Sequence, residues 1–159
     1  MSARLNYFQQ SPAVAAKYQE FSNSLKDRPV PEKLKDLIFL RASQINGCAF
    51  CVDMHVKEAK IHGERELRLH HVAVWRESPL FDARERAALE WTEIVTHLPP
   101  HGIPDESYAR MREVYSEQEI TDITFLIVAI NGWNRLSVSF RAVPGSADAA
   151  FGLDKAGLS

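Results

Sequence analysis

The sequence predicts an all-α fold, a single-domain helical bundle. The seven glycines and eight prolines fall mostly between segments whose apolar residues recur at helical spacing. Nowhere do several alternating, β-branched runs follow one another, as a sheet would require. At 159 residues the chain is long enough to form one hydrophobic core that needs no stapling by disulfides or metal.

Prolines and apolar periodicity set the helix boundaries in the first half of the chain. A first helix is expected over 7–25, interrupted or started near Pro12, and a turn at 27–31 launches the next through Pro31. Asn46 is expected to cap the helix that carries the cysteines, and Gly63 to end it. The predicted helices of this half, after the first, are 32–44, 48–62 and 64–75.

Two capping-box patterns begin the main helices of the second half, one at Asp82 with Glu85 and one at Ser116 with Glu119. Helices are therefore predicted over 82–95, from Pro104 for a short stretch, and over 120–140. The last of these is apolar around much of its circumference, which favours a place in the core or at an oligomer contact. We assign 1–143 to the helical domain and 144–159, which lacks periodicity, to a C-terminal arm or tail.

The composition of the chain limits the kinds of partner and the cellular compartment that we expect. A formal net charge of −2 provides no basic footprint for nucleic acid. The most apolar run, 123–130, is too short to span a bilayer, and no export signal is visible at the N-terminus. We expect a soluble, cytoplasmic protein without a nucleic-acid or membrane partner, and two cysteines in CxxC spacing suit such a reducing compartment.

The most informative segment contains both cysteines, Cys48 and Cys51, and places His55 four residues after the second. On a helix, residues three and four apart are neighbours, so the imidazole of His55 lies within reach of the Cys51 sulfur. A thiol reacts as its thiolate, which a histidine or a helix N-terminus favours. The histidine favours Cys51 as nucleophile and the helix N-terminus favours Cys48, so position alone does not choose between them.

Two other interpretations of these cysteines compete with thiol redox chemistry. They could be small buried hydrophobic residues, or they could bind zinc together with His55. Three ligands on consecutive turns of one helix are unusual for a structural zinc site, and Val52 stands where c-type haem attachment needs histidine. The fourth zinc ligand would come from His62, His70 or His71.

The run LIFLRASQINGCAFCVDMH at 37–55, followed by Ala59 and Gly63, resembles the core motif of the carboxymuconolactone decarboxylase superfamily, specifically its alkylhydroperoxidase D-like branch. The later AINGWNR at 129–135 also resembles sequences of this branch. The resemblance implies an all-helical fold and assembly into homotrimers or homohexamers. It also implies a peroxidase that needs no metal and no cofactor beyond a redox-active disulfide between Cys48 and Cys51.

The resemblance further implies a role for each site residue. Cys51 would attack the peroxide and Cys48 would resolve the product. Asp36 stands twelve residues before Cys48, where the family has a glutamate that shares a proton relay with the counterpart of His55; its alternative interpretation is a solvated surface charge. Phe50 replaces a histidine of the best-known members, so the relay here would be shorter or use water.

The expected function is reduction of organic hydroperoxides or hydrogen peroxide through a CxxC thiol/disulfide cycle. The electron donor would be a lipoyl group, a thioredoxin-like protein or a low-molecular-weight thiol. The alternatives are a protein disulfide oxidoreductase, a zinc-binding or structural oligomer, and a carboxymuconolactone decarboxylase-like enzyme, although decarboxylase members lack the CxxC pair. Glu90 and Glu93 are expected to be surface charges, while Asn131 and Asn134 indicate buried amide hydrogen bonds or a ligand contact.

Overall fold

The computed structural model describes residues 2–158, and within this range it contains helices and no strand, so the all-α prediction is confirmed. Two 3-10 helices, Val72–Glu77 and Leu153–Ala156, accompany the α-helices. The α-helices are α1 (Tyr7–Gln10), α2 (Pro12–Ser24), α3 (Glu32–Ile45), α4 (Ala49–Ile61), α5 (Glu66–His71), α6 (Ala83–His97), α7 (Asp105–Val114), α8 (Glu117–Phe140) and α9 (Asp148–Phe151).

Both predicted capping boxes are formed. The Asp82 side chain accepts from the Glu85 N–H while Glu85 accepts from the Asp82 N–H, and Ser116 and Glu119 do the same at the start of α8. Each box satisfies two backbone donors that a helix start would otherwise leave unpaired. These local signals place the starts of α6 and α8 correctly.

The predicted helix over 64–75 is divided in the structure. α5 ends at His71 and the chain continues as a 3-10 helix with a kink at Val74. The guanidinium of Arg86, on α6, donates to the main-chain carbonyls of Trp75, Arg76 and Ser78. A side chain from another helix thus satisfies carbonyls that a continuous α-helix would have paired within itself.

The core forms around α3, which contacts α4, α6 and α8. Leu37 and Ile38 on this helix are fully buried, and they belong to the two clusters of core residues on its opposite sides. α3 leads directly into the cysteine segment. The position of that segment is therefore set by the most enclosed helix of the bundle.

The long helix α8 packs one face into the core through Ile123, Ile127 and Ile130. By length and composition this 24-residue helix is apolar enough to cross a membrane, but the burial of this face accounts for its hydropathy in a helical bundle. Its other face leaves Phe125 and Val128 nearly half exposed. The expectation of a core helix is met on one face only.

The C-terminal segment packs against α4 as an arm. Leu153 is only 2% exposed, and the Asp148 carboxylate accepts from Nζ of the buried Lys57 at 2.7 Å. The main-chain N–H of Gly145 donates to the carboxylate of Asp53, also on α4. The arm therefore covers the side of α4 that carries Asp53 and Lys57.

Candidate redox site

A glycine turn joins α3 to α4 and places Cys48. Gly47 has φ +64°, a left-handed conformation that glycine adopts without steric cost, and the Cys48 N–H donates to the Ser43 carbonyl at 3.0 Å. Cys48 is itself the N-cap of α4, and its sulfur accepts from the Cys51 N–H at 3.3 Å. The prediction that Asn46 caps this helix is wrong, because Asn46 ends α3 and its side chain is engaged elsewhere.

Hydrogen bonds between amide side chains hold this turn against α8. The Asn46 side chain donates to Oδ1 of both Asn131 and Asn134 at 2.9 Å. Asn134 is fully buried, and its amide donates to the Ser43 hydroxyl at 3.0 Å. Buried polar groups are costly unless paired, so this network specifies one position of the turn that bears Cys48. The expected buried amide hydrogen bonds are confirmed for Asn134, whereas Asn131 is half-buried and its amide donates to the Thr96 hydroxyl and the Ile127 carbonyl.

Cys48 and Cys51 form a disulfide, with Cα atoms 5.3 Å apart. The two cysteines are 1% and 3% exposed, respectively. Zinc binding requires both sulfurs as free thiolates, and in this oxidised state they are bonded to each other instead. The site as the structure shows it is a buried disulfide at the start of a helix.

His55 lies one turn after Cys51 on α4 and is 8% exposed. Its Nδ1 lies 2.7 Å from Oε2 of Glu58, and its ring is 5.1 Å from that of Phe39. If Nδ1–H donates to this carboxylate, Nε2 is the nitrogen free to accept a proton. Burial acts to raise the pKa of Glu58, but the hydrogen bond and charge of His55 and the charge of His62 outweigh it, so the pKa lies below its ordinary value. Glu58 is therefore an ionised orienting partner for the base.

Asp36, on α3, is only 2% exposed, so it is not a solvated surface charge. Its two carboxylate oxygens lie 2.8 and 3.1 Å from Nδ1 of His62. The resemblance places Asp36 beside His55, whereas among the described residues its hydrogen-bonding histidine is His62. Burial raises the pKa of Asp36 to about 6, although His62 acts to lower it.

Because burial raises the pKa of Asp36, we expect the free energy of unfolding to depend on pH. Between 3.8 and about 6 the native protein holds a proton that the unfolded chain has released, so the stability contributed by protonated Asp36 is complete below 3.8 and is lost as pH rises through 6. Relative to Asp36→Asn, the wild-type free energy of unfolding should fall by about 3 kcal/mol across this window. Urea denaturation of the oxidised proteins at several pH values measures it. The exposed Asp27→Asn is the control, and parallel curves for wild type and Asp36→Asn would contradict the prediction.

Glu32, Asp36 and His62 also form a three-donor group that could hold a metal ion, because their ligand atoms lie within 4.8 Å of one another. Both oxygens of Asp36 already lie at hydrogen-bonding distance from His62, and Glu32 accepts from Nζ of Lys35. The three side chains therefore already have hydrogen-bond partners within the protein. We assign no metal to this group.

Sequence reasoning missed Glu58 entirely and considered His62 only as a zinc ligand. The signal was present, because Cys51, His55, Glu58 and His62 follow one another at spacings of four, three and four along α4. This is the spacing of a single helix face. A search for titratable residues on the cysteine face would have found both.

Glu93 is 9% exposed, so its assignment as a surface charge is wrong. Its Oε1 accepts from Arg41 Nε and Trp75 Nε1, both at 2.8 Å, and Oε2 accepts from Arg76. Burial acts to raise its pKa, but these three donors lower it below the ordinary value, so the group is ionised. Glu93 therefore links α3 and the first 3-10 helix to α6 through hydrogen bonds. Its partner Arg41 lies on α3, about one turn before the end of this helix and the turn that leads to the cysteines.

A cleft of about 370 Å³ opens on the neighbouring face of α4. Val52 and Val56, which follow Cys51 and His55 in the chain, form one apolar wall with Leu40 and Leu69 opposite. Lys60 and Glu66, which pair with each other, are also among its lining residues. The lining of the cleft is therefore partly apolar and partly charged.

Residues 12–93, more than half of the chain, match the model of the carboxymuconolactone decarboxylase family. The chain belongs to this family. The matched range includes Asp36, both cysteines, His55 and Glu93, so it spans the redox site and the helices that position it. The structural relatives place this family member in the AhpD-like branch.

Three relatives show what the chain is similar to. The uncharacterized protein YdfG of Bacillus subtilis is 37% identical over 139 residues, which is 87% of this chain and 95% of YdfG. A crystal structure of a protein of unknown function from Agrobacterium tumefaciens, described as a candidate AhpD antioxidant-defence protein, is 42% identical with a TM-score of 0.87, covering 90% of this chain and 98% of that one. An AhpD-core, peroxidase-related protein from Ralstonia eutropha has a TM-score of 0.78 over 87% of this chain and 74% of its own, and at 20% identity it supports the fold alone.

Proposed function

We propose that this AhpD-like family member is an enzyme, a thiol-dependent peroxidase that reduces organic hydroperoxides or hydrogen peroxide. The observation that carries the proposal is the buried Cys48–Cys51 pair at the start of α4, with the His55–Glu58 pair one turn further along. A cysteine becomes a strong nucleophile when an adjacent base takes its proton, and a carboxylate holds that base in the useful tautomer. Each of these three parts is present here.

The oxidative half of the cycle balances within this set of residues. Nε2 of His55 takes the proton of the Cys51 thiol, and the thiolate attacks the terminal peroxide oxygen. The O–O bond breaks, a sulfenic acid forms on Cys51, and the departing alkoxide takes the proton from His55 to leave as an alcohol. The Cys48 sulfur then attacks the Cys51 sulfur, the S–O bond breaks, and the Cys48 proton leaves with the hydroxide as water.

The start of α4 gives the two cysteines different environments, which supports a different role for each in the proposed cycle. The Cys51 N–H donates to the Cys48 sulfur, and the positive end of the α4 dipole also favours a thiolate there. During reduction, a donor thiolate that attacks Cys51 would expel Cys48, which is the better leaving group. A dithiol donor, such as a lipoyl group or a thioredoxin-like protein, or two molecules of a small thiol then supply two electrons and two protons to restore both thiols.

Direct oxidation of the reduced protein tests the proposal. One equivalent of tert-butyl hydroperoxide is added to fully reduced, metal-free protein, and free thiols and intact mass are followed with time. We expect both thiols to disappear together with the loss of two hydrogen atoms. Thiols that react no faster than free cysteine would exclude the peroxidase function.

A second candidate function is oxidation or reduction of disulfides in a protein partner, which a CxxC disulfide at a helix start also suits. The two candidates differ in their oxidant. A comparison of reduced protein against tert-butyl hydroperoxide and against an insulin-type disulfide separates them, because a peroxidase reacts preferentially with the peroxide. The low exposure of both sulfurs favours a small oxidant over a folded protein.

We also propose a cytoplasmic homo-oligomer, a trimer or hexamer, assembled through the outer face of α8. Phe125 and Val128 are 47% and 48% exposed and lie three residues apart on this face, and Val138 nearer the end of the helix is 46% exposed. Large apolar side chains left exposed on one helix are typical of a contact surface. The mass in solution, measured by light scattering, decides between the monomer and these assemblies.

A further inference from the structure

We propose that His62 and Asp36 form the solvent-side end of a proton relay that serves His55, and this inference rests on the proposed peroxidase function. His62 would act through Glu58 and would not touch the reacting atoms. It is therefore a positioning and proton-exchange residue rather than a catalytic one. Its task would be to supply His55 with a proton from solvent between turnovers.

Two histidine–carboxylate pairs lie next to each other. His55 pairs with Glu58 at 2.7 Å, and His62 pairs with Asp36 at 2.8 Å. Glu58 and His62 are four residues apart on α4 and are therefore neighbours on its surface. Asp36 reaches the same face from α3, so the four side chains form a path of alternating bases and acids.

Exposure increases along this path. His55 is 8% exposed, and the described contacts bring Phe39 over its ring. The His62 side chain is 34% exposed while its partner Asp36 is buried. Because Nδ1 of His62 faces Asp36, its Nε2 is the nitrogen available to water. The path thus leads from the base beside the thiols to solvent.

The charged groups around the path allow Asp36 to hold and release a proton near neutral pH. Burial raises the pKa of Asp36 to about 6, and the charges of Glu58 and Glu32 also act to raise it. Lys26, in the turn before α3, acts to lower the pKa of Glu58. Two other lysines near the path already have acceptors. Lys33 donates to the Gly63 carbonyl, and Lys35 donates to Glu32 and to the Lys26 carbonyl.

A proton relay at this position should matter more for the rate of repeated turnover than for the rate of the first oxidation. In the first oxidation, the proton taken from Cys51 returns to the alkoxide, so no exchange with solvent is needed. During reduction the donor attacks as a thiolate and its protons pass to water, so Cys51 is released as a thiolate while His55 is neutral. His55 must then take up one proton from solvent before it can protonate the next alkoxide. Loss of His62 should therefore slow the steady state and spare the single turnover.

The test compares His62→Gln with wild type and with the exposed control His101→Gln. Single-turnover thiol oxidation and steady-state turnover are measured with tert-butyl hydroperoxide, the latter with excess dithiothreitol in dilute buffer near neutral pH. For His62→Gln we expect the first rate to stay within about twofold of wild type and the second to fall about tenfold. Added imidazole should restore the second rate and leave wild type and His101→Gln unchanged. Asp36→Asn should show the same division between the two rates.

An unchanged steady-state rate in His62→Gln would overturn the relay. A parallel fall of both rates without rescue by imidazole would also overturn it, because that pattern indicates structural damage. If the wild-type protein itself fails to consume peroxide, the peroxidase proposal fails, and the relay fails with it. The wild-type arm thus distinguishes failure of the function from failure of the relay alone.

Discussion

Cys51→Ser should lower peroxide turnover by roughly three orders of magnitude or more, because a serine hydroxyl near His55 stays protonated where a thiol ionises. The remaining Cys48 is only 1% exposed and lies at the N-cap, three residues further from His55 along the chain than Cys51. Consumption of tert-butyl hydroperoxide with dithiothreitol as donor measures the effect. Far-UV circular dichroism should be unchanged, since serine is nearly isosteric with cysteine.

Cys48→Ser is the matched control for this experiment. It retains the nucleophile and the base but lacks the thiol that completes the disulfide. One equivalent of peroxide should therefore add one oxygen atom to the protein mass, as the sulfenic acid on Cys51, where the wild type loses two hydrogens. If Cys51→Ser is active and Cys48→Ser is inert toward peroxide, the roles of the two cysteines are reversed.

Glu93→Ala should lower the free energy of unfolding by about 3 kcal/mol, because it leaves the guanidinium of Arg41 and the indole N–H of Trp75 without their acceptor in a largely buried site. The carboxylate is ionised and makes three charge-assisted or indole hydrogen bonds, so its removal costs more than the burial of one side chain. Urea denaturation of the oxidised protein at neutral pH measures the change.

Glu90→Ala is the matched control, since Glu90 lies three residues earlier on α6 and pairs with Arg110 at the surface. An exposed pair contributes little to stability, so this variant should unfold close to wild type. Glu93→Gln should be intermediate, because it keeps the volume and one acceptor oxygen but loses the charge. Equal losses for Glu90→Ala and Glu93→Ala would show that the buried network does not matter.

These two glutamates illustrate how far the sequence alone can be read. Both lie on a helix that the capping box at Asp82 predicts correctly, and that box forms from residues three positions apart. Which of the two faces the core depends on the rotation of α6 against α3. That rotation is a property of packing between helices distant in the chain, so the assignment of Glu93 to the surface was wrong.

The candidate site divides in the same way. Cys48, Cys51 and His55 lie within eight residues, so helical spacing alone brings them together, and the structure puts them on α4 as expected. Asp36 comes from another helix. Its partner depends on the register between α3 and α4, and in that register the hydrogen-bonding histidine is His62, while His55 pairs with Glu58 on its own helix.

The sequence by itself therefore determined the helical class, the capped starts of α6 and α8, and the thiol pair with its histidine, because each depends on contacts between residues a few positions apart. Only the tertiary structure decided the partner of Asp36, the burial of Glu93, the division of the 64–75 helix by Arg86 and the docking of the C-terminal arm on Lys57. The physical reason is common to all four. Each depends on a side chain from a distant segment, whose approach is set by how the helices pack.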